Sequence, residues 1–336
     1  MSAATSHRLI AHFGSLRTTL ALLALLAAVV LARPAFAPLA VVLGLLGVNL
    51  LAALVVHPLL RRQFPLLVFH LALLALLLLV GVGRMAALDG RFELTQGVTF
   101  DGRLIDHDAG PLYAEHLQRL AFRHDGFEID YAPGRKRGAT RNSVTWVGDD
   151  GLSRSAVIGD HRPLVIDGHR IYTSPNKGFA PLLRWLPNGG EPVLGAVHLP
   201  SFPLHELTQS REWSLPGGRA VWVMLQFDET LLDPQASSSF RLPGRHRLVV
   251  RIGSTGSEQR AELAPGQRID LDGGSLVYDG LRTWMGYRVS YDPTLPWLLA
   301  ASLLAALSLA WHYAMKFFAG SQAVAVPGNS ARFVDG

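Results

Sequence analysis

The chain has 336 residues, with 31 Lys and Arg against 26 Asp and Glu, and no cysteine. Lack of cysteine excludes disulfides, thiol–disulfide exchange by the chain itself, iron–sulfur clusters and thiolate zinc sites. Eight basic residues and a single acid, Asp335, lie outside 87–294, so that segment keeps 23 basic and 25 acidic residues and is close to neutral. The basic surplus sits beside apolar runs, which argues against nucleic acid as a partner, since that needs a basic patch on a folded domain.

Four apolar runs read as membrane spans. The first covers Thr18 to Leu31 and the second Pro38 to Val56. The short link Arg33 to Ala37 makes these two a tight helical hairpin. The first run, with PAFA near its end, is read as a span and not a cleaved signal, because its apolar core is long and a second run follows at once. The third span is 66–83 and the fourth 296–318. Arg8, Arg17, Arg61, Arg62 and Lys316 fall on one side of the membrane. The positive-inside rule places that side, with both termini, in the cytoplasm and 87–294 outside.

The third span carries the most informative residue, His70, in LLVFHLALLALLLLVGV. At about 1.5 Å rise per residue it lies one to two turns inside the hydrocarbon edge. An ionisable ring there is costly, so it is a functional candidate. Neutral imidazole binds borderline metals and is a common haem axial ligand. The other reading is a ring bonded to a neighbouring helix or a backbone carbonyl. Asn49 in the second span is expected to bond between helices. His57 and His312, at span ends, are expected to sit at the interface and reach water.

Between the third and fourth spans, 87–294 reads as mostly β, a sandwich or barrel-like arrangement. Short alternating or β-branched runs recur at 91–94, 127–131, 143–147, 164–166, 169–173, 220–227, 247–252, 275–278 and 286–291. Turn signals such as DHDAGP, PGRKRG, LPNGGEP and LDGG separate them. PQASSS at 234–239 reads as a surface loop. Eight histidines fall here, but none forms HExxH or another tight ligand pair, and AEH at Ala114 to His116 lacks a partner. No signature proposes a nucleophile with its base. The resulting fold class is a membrane protein of four transmembrane helices with a large external, mostly-β domain between helices 3 and 4. Its divisions are a three-helix membrane part (1–86), the external domain (87–294), the fourth helix (295–318) and a cytoplasmic tail (319–336).

Three stretches together resemble the ResB (CcsB) family of cytochrome c biogenesis. They are SLRTTLALLALLAAVVLA (Ser15 to Ala32), FPLLVFHLALLALLLLVGVGRMAALDGRFELTQGVTF (Phe64 to Phe100) and YDGLRTWMGYRVSYDPTLPWLLAASLLAALSLAWHYA (Tyr278 to Ala314). GHRIYTSPNKGFAPLLRW (Gly168 to Trp185) is similar, more weakly. The resemblance implies a membrane subunit of a system II cytochrome c synthetase in the bacterial inner membrane, with its large domain periplasmic. It implies haem b as cofactor or cargo, bound transiently, with His70 as an axial ligand to the haem iron. It also implies a ResC/CcsA-type haem-handling partner, apocytochrome c and a thiol-reducing thioredoxin-like protein as partners. The chain departs from the family in its short length, in Asp292-Pro293-Thr294 where Asp-Pro-Gly is usual, and in lacking a WWD-like run. It is therefore expected to be a non-catalytic component of a haem lyase complex. The alternative is a membrane-anchored structural or binding protein without haem.

Overall fold

In the computed structural model the described residues are 12–32, 36–114, 117–215, 218, 220–253 and 259–322. They form five α-helices and fifteen strands in two compact units. One gathers the helices with Gly110–Tyr113. The other comprises Leu88–Ala109 and Ala114–Tyr291.

The helices are α1 (Leu16–Ala32), α2 (Phe36–Val56), α3 (Pro58–Arg62), α4 (Phe64–Ala86) and α5 (Leu295–Gln322). Leu- and Ala-rich sequences favour helix throughout, and the prolines of α3 and α4 sit in the first turn, where a missing N–H costs nothing. Three stretches are long and apolar enough to cross a membrane: Pro38–Val56, Phe64–Ala86 and Leu295–Phe318. The first expected span is present as an apolar helix of 17 residues, short of the roughly 20 that a spanning helix needs. The expected four spans are thus observed as three plus one shorter helix. The separate turn of helix α3 lies in a stretch read as a connection. The link residues 33–35, His116 and the tail from 323 lie outside the described residues.

α2 packs on α1 and α4, and α4 packs on α5. At the start of α5, Asp292 Oδ1 accepts from both the backbone N–H and the hydroxyl of Thr294. The Thr294 carbonyl then accepts the first helical bond, from Leu298. This cap fits tightly against α4. A Cβ on Gly83 would stand 2.6 Å from Thr294 Oγ1 and 3.2 Å from Asp292 Oδ1. Gly83→Ala is expected to destabilise the helical unit by about 1–3 kcal/mol through overpacking, measurable as a lower unfolding midpoint in detergent. Gly81→Ala, at a glycine whose Cβ would meet nothing within 4 Å, is the control and should leave the midpoint unchanged or slightly raised.

The β unit is mostly β as expected, in three antiparallel sheets. The largest is ordered β2 (Asp106–Ala109), β1 (Leu88–Thr95), β15 (Gly274–Tyr291), β7 (His169–Pro187), β6 (Leu164–Ile166), with β14 (Arg268–Leu271) also on β15 and β8 (Val193–Ala196) on β7. A second runs β13 (Gln259–Leu263), β12 (Arg247–Ile252), β10 (Ala220–Gln226), β9 (Ser210–Ser214). The third runs β11 (Ser238–Ser239), β3 (Phe122–Ala132), β4 (Lys136–Val147), β5 (Ser153–Ile158).

The strands expected at 275–278 and 286–291 are one strand, β15, paired along its length with β7. Two irregularities, at Tyr278/Gly280 and Met285/Tyr287, carry it past its glycines. DHDAGP, read as a turn, contributes the fully exposed edge strand β2. The core is apolar and aromatic, with Phe179, Leu183, Phe202, Leu232, Leu248 and Tyr278 almost fully buried. Each such side chain contributes roughly 1.5–3 kcal/mol by leaving water.

Candidate functional site

Three helices build a cavity of about 570 Å³ inside the helical unit, a volume within the range of small-molecule and cofactor sites. Each helix contributes one face, read at three- and four-residue spacing: Leu16, Thr19, Leu23 and Leu26 from α1; Leu46, Asn49, Leu50 and Ala53 from α2; His70, Leu73, Leu77 and Val80 from α4. His57, between α2 and α3, completes the same wall.

His70 is half-buried on this face. Its Nδ1 lies 2.7 Å from the carbonyl oxygen of Leu66, one turn back. A carbonyl only accepts, so Nδ1 carries the proton and donates. The neutral ring therefore keeps its lone pair on Nε2. This is the arrangement a metal-binding histidine uses, with the second nitrogen bonded to a carbonyl to fix tautomer and orientation. Phe69 meets the ring edge to face at 5.3 Å between centroids.

The other intramembrane polar groups divide. Asn49 bonds between helices as expected: its Oδ1 accepts from Thr19 at 2.7 Å, and its Nδ2 donates to the Phe13 carbonyl. His57 is exposed, as expected, and its Nε2 lies 3.2 Å from the Gly14 carbonyl. It also lines the cavity, which the sequence reading missed. The available signal was that Asn49, Ala53 and His57 recur every four residues, one face of a helix and its immediate end. His312, expected to reach water, is instead only 8% exposed.

The β unit holds two ordered histidine networks. His124, Asn142 and Tyr287 are buried together. Asn142 Nδ2 donates to His124 Nδ1 at 2.8 Å and to the Gly126 carbonyl at 2.8 Å, while the Tyr287 hydroxyl donates to Asn142 Oδ1 at 2.9 Å. Burial pulls His124 down to about 4, against a smaller upward pull from Asp125. His198 lies between Glu93 (2.8 Å) and Thr95 (2.8 Å) and stacks on Trp284. Thr95 is buried, and this trio braces β1 against the residues after β8. Among the described residues no group of three or more His, Asp or Glu is placed to hold a metal ion.

Helices long and apolar enough to cross a bilayer and a mostly-β unit between α4 and α5 are the features of a membrane protein. The model of the ResB-like family matches residues 60–193, from α3 through the His70 helix and β7 to the start of β8. The resemblance read from the sequence holds over that stretch, which is less than half of the chain. No curated protein matches the chain.

Proposed function

We propose that this chain is the haem-binding membrane subunit of a system II cytochrome c synthetase, and that haem b is its cargo. The observation that carries the reading is His70, with Nδ1 bonded to the Leu66 carbonyl and the lone pair left on Nε2, at the wall of a cavity of about 570 Å³. The walls fit a porphyrin chemically, since leucine, alanine and valine line the cavity beside His70. Held there, haem would supply an iron for His70 to ligate, within apolar walls that limit its side reactions.

In this reading the chain's own residues bind, orient and exclude water. The bond from His70 Nδ1 to a carbonyl fixes the tautomer and the orientation of the ring. The chain has no thiol to take part in thioether formation, and the substrate's own cysteines supply that chemistry. A ResC/CcsA-type membrane protein would supply the second axial ligand and receive the haem. Apocytochrome c, kept reduced by a thioredoxin-like protein, would meet the complex outside. The distribution of basic residues supports a plasma-membrane protein with both termini cytoplasmic and the β unit extracytoplasmic.

The test is the visible spectrum of the full chain purified in mild detergent with its candidate partner. A Soret band with sharp reduced α and β bands is the expected result. A folded complex with no haem would return the chain to the structural reading, in which the Leu66 bond is the whole purpose of the ring.

A further inference from the structure

The polar groups of the intramembrane cavity are not scattered. They lie at one end, formed by the start of α1, the end of α2 and the start of α4: Thr19, Asn49, His57 and His70. The opposite end, from Leu23 and Leu26 to Leu76 and Val80, is wholly apolar. Thr19 and Asn49 are spent on each other and on the Phe13 carbonyl. His57 uses only Nε2, at 3.2 Å from the Gly14 carbonyl. Arg61 and Arg62, exposed, follow directly on Leu60, another residue of this end.

A ligand that matches such a cavity is itself two-ended, with an apolar body and an anionic edge. An iron porphyrin with two propionates on one edge has that form. We infer that His57 is the carboxylate-binding residue of the cavity: it receives a porphyrin propionate and so fixes which edge of the macrocycle faces the polar end. The inference rests on the haem reading above. The imidazolium form donates from both nitrogens, Nε2 to Gly14 and Nδ1 to a carboxylate oxygen, and a charge-assisted bond of this kind is strong and directional. A carboxylate carried into the apolar end would have no donor, at a cost several times larger. Orientation therefore follows from the cavity before any ligand bond to iron forms.

The experiment compares haem with haem dimethyl ester, in which both carboxylates are masked and the apolar body is retained. Each is titrated into the full-length chain in lipid nanodiscs and read from the Soret band, for wild type, His57→Phe, His57→Gln and His70→Ala. Wild type should bind haem about tenfold or more tightly than the ester. His57→Phe should bind the ester as wild type does, which shows an intact cavity, yet lose the preference for the free acid. His57→Gln, which can still donate, should regain part of it. A His57→Phe chain that keeps the full preference, or a wild type that shows none, overturns the assignment of His57 while leaving His70 in place. Absence of any His70-dependent Soret band removes the haem reading itself.

Discussion

His70→Ala is expected to lower haem affinity by about 100-fold or more, with loss of the sharp reduced α and β bands. Altering a residue that merely supports a metal ligand typically costs 10–100-fold, and in the proposed reading the ligand itself is removed. The neighbouring Phe69 and the leucine walls remain, so a weak apolar association with a broad Soret band should persist. His70→Gly with added imidazole separates ligation from packing. The exogenous ring can occupy the space vacated by the side chain and supply a nitrogen, so the spectrum should return with imidazole concentration. Failure of the rescue, in a chain whose helices remain folded, would mean that the Leu66 bond alone accounts for the ring. Tethering matters as well: the Nδ1 bond at 2.7 Å holds the ring in one orientation, so free imidazole should restore less than wild-type affinity.

The second large effect lies in the β unit. His124 is fully buried, and its Nδ1 accepts from Asn142 Nδ2, which can only donate. The neutral ring therefore carries its proton on Nε2, which has no partner. Desolvation holds the folded group near 4 against an ordinary value of 6.5. The unfolded chain binds this proton first, so stability is complete above pH 6.5 and falls as pH drops toward 4. The difference amounts to on the order of 3 kcal/mol. Burial raises Asp125, but its bonds to Thr145 and Arg123 outweigh that and hold it below its usual range. Its contribution is therefore lost at lower pH, apart from the histidine window. Urea unfolding of the full chain in detergent, followed by tryptophan fluorescence at pH 7, 5.5 and 4.5, measures the slope. His124→Phe keeps a ring against Phe127 and Tyr287 and should flatten the dependence between 4.5 and 6.5. An unchanged slope in this variant would assign the dependence to other groups.

Both expectations come from histidines, yet the sequence exposed them very differently. His70 is conspicuous because hydrocarbon length is fixed and a polar ring inside a long apolar run is costly. The family resemblance rests on the same stretch, and the matched residues contain it. His124 sits in FRHDG, an unremarkable polar run. Its burial arises because β3 pairs with β4, bringing Asn142 across, while Tyr287 arrives from the last strand of a different sheet.

Local pattern determined the apolar helices, the mostly-β character of 87–294 and the position of His70. These depend on hydrophobic length and alternation, which are properties of neighbouring residues. The tertiary structure decided that β15 is one strand and not two, because pairing with β7 continues across its glycines and two bulges. It decided that Asp106–Ala109 is a strand, since an edge strand can be wholly polar when only its backbone is used. It also placed His57 and His70 on one cavity. The two are thirteen residues apart across a helix break, and only the packing of α1, α2 and α4 makes them neighbours of the same space.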